Sequence, residues 1–74
     1  MRYEVVRSVE DKSVHVIFRA GTFDDLPARI KRMGPWQGLS GGEIEHLKPH
    51  YRLQLAEQDF AVVYQHLATF SPTT

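Results

Sequence analysis

The sequence predicts an α+β fold: a small three-stranded antiparallel sheet, built from an N-terminal hairpin and a C-terminal strand, with one or two helices packed on one face. Three observations predict it. Segments 2–9 and 13–20 are rich in valine and aromatics and flank a charged turn. Segment 60–66 returns to the same β-prone composition. Between them, apolar residues recur at helical spacing.

The hairpin rests on period-two alternation on either side of Glu10-Asp11-Lys12. That alternation predicts one inner face holding Tyr3, Val5, Val9, Val14, Val16 and Phe18. Gly21 then interrupts the strand, and Phe23-Asp24-Asp25 supplies a hydrophobic staple and N-cap candidates. A helix starting at Asp24 or Asp25 tolerates Pro27 in its first turn. Leu26, Ile30 and Met33 make its apolar stripe, while acids lead and Arg29, Lys31 and Arg32 trail, as the helix dipole favours. Gly34-Pro35 ends it.

Met33 to Gly42 holds four of the five glycines and the single tryptophan, Trp36, and reads as a Gly-rich loop, either a hinge or a recognition surface. Ser40 and Glu43 have capping-box spacing, which predicts a turn or short helix from Ser40 to Leu47. Residues 49–58 are ambiguous by periodicity: Tyr51 to Leu55 alternates like a strand, yet Ile44, Leu47, Tyr51 and Leu55 share a helical face. Propensity decides for a helix from Pro49 to Gln58, since Arg-Leu-Gln-Leu-Ala-Glu-Gln has no β-branched residue and proline suits the first helical position. Phe60 to His66 forms the third strand, with Phe60, Val62 and Tyr64 facing the core. Residues 1–70 then make one domain and 71–74 a flexible tail.

A chain of 74 residues buries little surface and has a marginal core. Lacking cysteine, it has no disulfide to supplement that core, so association is the expected supplement. Nine basic and nine acidic side chains cancel, which excludes a global field toward nucleic acid or anionic membrane. Charges throughout the first twenty residues argue against a secretory or membrane-spanning segment and for a cytoplasmic protein.

No motif specifies a reaction. Gly38-Leu39-Ser40-Gly41-Gly42 matches the G-x-S-x-G nucleophile elbow, but a helix stop precedes it where the elbow needs a strand. His46 and His50 have the spacing of two metal ligands on a helix, but Pro49 interrupts the turn between them, so neither metal nor cofactor is expected. The leading expectation is a small non-enzymatic interaction module, possible homodimerisation included. Its contact would be an apolar stripe of Val6, Ile17 and Val63 on the sheet face opposite the helices. The partner would be another protein or a second copy. The alternative is a nucleic-acid or phosphate binder at Arg29, Arg32, Trp36, Lys48, His50 and Arg52 around the Gly-rich loop, because cations at a helix N-terminus oppose its dipole unless an anion docks there. An enzyme ranks last.

Overall fold

The computed structural model describes residues 1–66 and 70–73. β1 (Arg2–Ser8), β2 (Val14–Arg19), β3 (Trp36–Glu43) and β4 (Phe60–Tyr64) form one antiparallel sheet in the order β3-β1-β2-β4. The sheet therefore has four strands where the sequence predicts three. The additional strand is the Gly-rich segment, which lies along β1 as an edge.

Helical structure is divided between the two faces of the sheet. A 3-10 turn (Phe23–Asp25) and the short α1 (Ala28–Lys31) cover one, and α2 (Pro49–Gln58) covers the other. Pro27 takes the N-cap of α1 with extended backbone, splitting the expected helix in two. Neither Asp24 nor Asp25 caps a helix through its side chain.

Each face has its own core. Beneath α2 lie Tyr3, Val5, Ile17, Leu47, Tyr51, Leu55, Ala61 and Val63. On the α1 face Val16, Phe18, Leu26, Ile30 and Phe60 are buried, with Val6, Met33, Trp36 and Val62 packed against them. β2 is the strand both layers share. Val14, His15, Val16, Ile17 and Phe18 are all buried, which is why this segment reads as an unbroken apolar run interrupted by one histidine.

The register corrects the expected strand phase. Val5 pairs with Ile17 and Val6 with Val16, so Val5 and Val16 point to opposite faces. The Glu10–Lys12 turn already implies this, because a three-residue loop sets Val9 opposite Ser13 and hence odd positions opposite odd ones. On β4, Ala61 and Val63 face α2, Phe60 and Val62 face α1, and Tyr64 is exposed.

Local hydrogen bonds fix the connections. The Ser8 hydroxyl, 1% exposed, donates to the Met33 carbonyl at 2.7 Å and accepts from the Asp11 N–H at 3.2 Å, tying the hairpin turn to the end of α1. The Asp11 carboxylate accepts from the Ser13 hydroxyl and N–H, which lowers its pKa. α2 begins at Pro49, as its sequence predicts, and ends at Asp59, whose left-handed backbone (φ 71°) turns its N–H onto the Leu55 carbonyl. Arg19 reinforces that end, donating to the Leu55 carbonyl at 3.0 Å and to Asp59 Oδ1 at 2.6 Å.

Residues Phe70 to Thr73 lie against the start of α2. The Lys48 N–H donates to the Pro72 carbonyl at 2.9 Å, Thr73 bridges Leu47, and Phe70 packs on the α2 core. Thr74 lies outside the described residues.

Val63 is 6% exposed beneath α2. Val63→Asp would bury an unpaired charge, at a cost of about 3–5 kcal/mol. That is comparable to the stability of a small domain. Circular dichroism is expected to show a largely unfolded variant, whereas a folded Val63→Asp protein would contradict the register.

Candidate functional site

The two edges of the sheet are β3 and β4, and β3 is the longer and the more exposed. Its segment is Trp-Gln-Gly-Leu-Ser-Gly-Gly-Glu, with no β-branched residue and three glycines, a composition depleted in strands. It forms a strand because β1 supplies what the glycines lack. A Cβ on Gly41 would lie 2.9 Å from the Tyr3 carbonyl oxygen, so only glycine permits this approach of the two backbones. A Cβ on Gly42 would meet the Tyr3 ring at 3.0 to 3.2 Å, so the tyrosine occupies the side-chain space Gly42 leaves free. Arg2 and Glu43 close this end of the strand pair with an ion pair at 3.0 Å.

Trp36 anchors the other end. Its indole stands over Gly34 and packs against the α1-face core, and its Nε1–H donates to the Lys31 carbonyl at 3.3 Å. The Val9 N–H reaches the Pro35 carbonyl at 2.9 Å, and Arg7 donates to the Gln37 side chain at 3.2 Å. Between the anchors, pairing shifts by one residue: Val5 faces Ser40 and Val6 faces Gly38, leaving Leu39 as the extra residue of a bulge. Gln37 to Gly41 are exposed in sequence.

The residues singled out from the sequence are distributed differently from expectation. Ile17 and Val63 are sealed under α2 and Val6 belongs to the opposite face, so the three form no open stripe. The apolar run that suggested one is the signature of a sheet covered on both sides. The six residues of the alternative site also separate. Arg29, Arg32 and Trp36 belong to the α1 layer, while Lys48, His50 and Arg52 start the α2 layer across the sheet. Arg29 is engaged over the Phe60 ring, 5.5 Å from its centroid, and the His50 ring packs on Tyr51 at 4.0 Å.

Ser40 sits in β3 paired with Val5, so it neither caps a helix nor tops a strand-to-helix elbow. His46 closes a 3-10 turn (Ile44–His46), and among the described residues no three His, Cys, Asp or Glu side chains gather as a metal would require. A cavity of about 390 Å³ opens beside Arg19, Asp25, Leu26, Asp59 and Phe60. The charges of Arg19 and Asp59 there are spent on each other and on the end of α2.

Sequence reasoning missed one residue of chemical interest. His15 is fully buried on β2, paired across the sheet with Arg7 and Val63, and stacked on Phe70 with ring centroids 4.5 Å apart. Among the described residues neither ring nitrogen has a hydrogen-bond partner, and nor has the buried Nε of Arg7. Burial lowers the pKa of His15, the positive charge of Arg7 acts in the same direction, and the nearby Ser13 backbone opposes them. The Ser13 carbonyl also accepts from the Gln65 N–H at 2.9 Å. The sequence signal was a lone histidine inside the apolar run Val14 to Phe18.

The structure thus defines a small α+β domain, covered on both faces of its sheet, with a glycine-rich free edge. No helix among the described residues is long and apolar enough to cross a membrane. Comparison with family models, with curated proteins and with solved structures finds no match to this chain.

The glycines of β3 separate into required and replaceable. Gly41→Ala is expected to lose about 1–3 kcal/mol because the clash is with backbone. Gly38, with nothing within 4 Å of a Cβ, is expected to accept alanine with a change under about 0.5 kcal/mol. Urea unfolding of the two variants measures the difference, and equal stabilities would contradict the pairing of Gly41 with β1.

Proposed function

We propose that the chain is a non-enzymatic protein-interaction module whose docking element is the free edge of β3, and that the strand it accepts comes from a second copy of itself. The supporting observation is the edge. β1 pairs one side of the eight residues Trp36–Glu43, and no strand among the described residues pairs the other. Outward N–H and C=O groups on such an edge are a template for another strand. Edges are ordinarily blunted by lysine, proline or charge, and Trp36 to Gly42 contains none of these. The bulge at Leu39 is its one protection.

Several features favour a second copy. Antiparallel pairing about a twofold axis normal to the sheet sets the Trp36 end of one edge against the Glu43 end of the other. Arg7 charges the first end, while Glu43 and the exposed Glu45 charge the second, so the edge is complementary to itself. Arg2 and the amino terminus already neighbour those acids, at 3.0 and 3.7 Å, so the charges select direction more than strength. Glycines let the backbones approach closely, and an axis through the bulge gives both strands the same local twist. Leu39, 36% exposed, would meet its own copy near that axis.

The phosphate reading has less support. A single nucleic-acid strand would have to pass around a sheet edge to touch Arg29, Arg32 and Trp36 as well as Lys48, His50 and Arg52.

Sedimentation equilibrium tests the reading. The chain is expected to shift from monomer to dimer with rising concentration, with little dependence on salt. Leu39→Lys is expected to weaken dimerisation by about tenfold or more while leaving the unfolding midpoint of the monomer, measured at low concentration, unchanged. A monomer at every concentration, or a dimer indifferent to Leu39→Lys, would contradict it. Trp36 fluorescence should stay flat on addition of oligonucleotide.

A further inference from the structure

We propose that His15 and Phe70 form an acid-sensitive latch: a proton on His15 releases Phe70 to Thr73 from the domain and uncovers the apolar start of α2, while the four-stranded sheet stays intact. The proposal is independent of the β3 edge and rests on what surrounds His15.

The imidazole is fully buried, and burial and the neighbouring Arg7 charge favour its neutral form against an opposing pull from the Ser13 backbone. β1 presents Arg7, a permanent cation, directly across the strand pair. β4 presents Val63. α2 contributes Tyr51, whose ring meets Phe70 at 6.3 Å and His50 at 4.0 Å. The C-terminal segment contributes the Phe70 ring, and the Phe70 N–H is bonded to the carbonyl of His66, itself a titratable residue. No carboxylate among the described residues forms an ion pair with His15. Protonation would therefore place a second cation beside Arg7 with nothing to neutralise it.

The charge has one inexpensive way to reach water. Val63 and Arg7 are held by strand pairing on both sides of His15, so exposing the ring through the sheet would break the ladder. Among the described residues, Phe70 to Thr73 is held by the hydrogen bonds from the Lys48 N–H to Pro72 and from the Phe70 N–H to His66, the Leu47–Thr73 bridge, and the Phe70 ring contacts with His15 and Tyr51. Lifting that segment hydrates His15 at the smallest structural cost. It also exposes Leu47 and Tyr51, now 1% and 6% exposed, as a new apolar surface.

The direction with pH follows from the depressed pKa. Above the ordinary histidine value of about 6.5 the latch is closed, and as pH falls below it the open form, whose His15 titrates normally, gains population. Burial is the first cause of the depression and Arg7 adds to it.

Amide hydrogen exchange separates release of the latch from unfolding. The Lys48 N–H reports the latch and the amides of β2 report the sheet. Between about pH 7.5 and about pH 5, the protection factor of Lys48 is expected to fall by about tenfold or more while those of β2 hold. His15→Phe keeps a ring for Phe70 to stack on but cannot take a proton, and should make Lys48 protection independent of pH. Phe70→Ala should leave Lys48 poorly protected at both pH values, which tests the latch even if His15→Phe does not fold. Equal losses at Lys48 and β2, no loss at either, or a pH response that survives in His15→Phe would each overturn the proposal.

Discussion

The close approach of β3 to β1 organises this domain. Gly41 lets the Tyr3 carbonyl come within 2.9 Å of where a side chain would begin, and Gly42 leaves room for the Tyr3 ring. Because of that fit, a segment with little strand propensity completes a four-stranded sheet. β1 becomes an interior strand, Trp36 is delivered to the α1-face core, and the sheet gains a glycine-rich edge opposite β4. Tyr3 itself faces the α2 core, so one residue couples the edge strand to the larger cluster.

Coverage on both faces is the second consequence. A chain this short has little apolar surface to spend, and here it is divided between two thin layers sharing β2. The layer over Val16 and Phe18 needs only a 3-10 turn and a single turn of α-helix, because Met33 and Trp36 supplement them. The layer over Val5 and Ile17 uses the ten-residue α2, pinned at its C-terminal end by Arg19 and at its N-terminal end by Pro72. His15 sits in this second layer as the buried polar side chain whose state the surrounding hydrogen bonds do not fix.

Much of the fold was legible in the sequence, in proportion to how local its causes are. α2 was readable because Pro49 marks its first position and helix formers follow it. β1, β2 and β4 were readable from valine-rich composition. Their phase could be read only from the length of the Glu10–Lys12 turn, since β2 is apolar at Val14, Val16, Ile17 and Phe18 and offers no single polar face to choose by. β3 escaped because its strand character comes from Tyr3, some forty positions away, and glycines announce a loop unless the packing partner is known. The candidate site was almost wholly illegible: Val6, Ile17 and Val63 looked like one open stripe because the strand phase was misassigned and both helices were expected on the same face. His15 gave its signal as one histidine within a core strand, but its partner Phe70 could be identified only from the fold.

The proposed docking edge depends on β3 being a paired strand, since an unpaired loop there would leave β1 in its place. Cross-strand nuclear Overhauser contacts in solution test this most directly. The account predicts contacts between Glu4 and Gly41 and between Arg7 and Gln37, on either side of the Leu39 bulge, with inward amides of 36–43 protected from exchange. Absence of those contacts, with amides of 36–43 exchanging as in an unstructured chain, would contradict it.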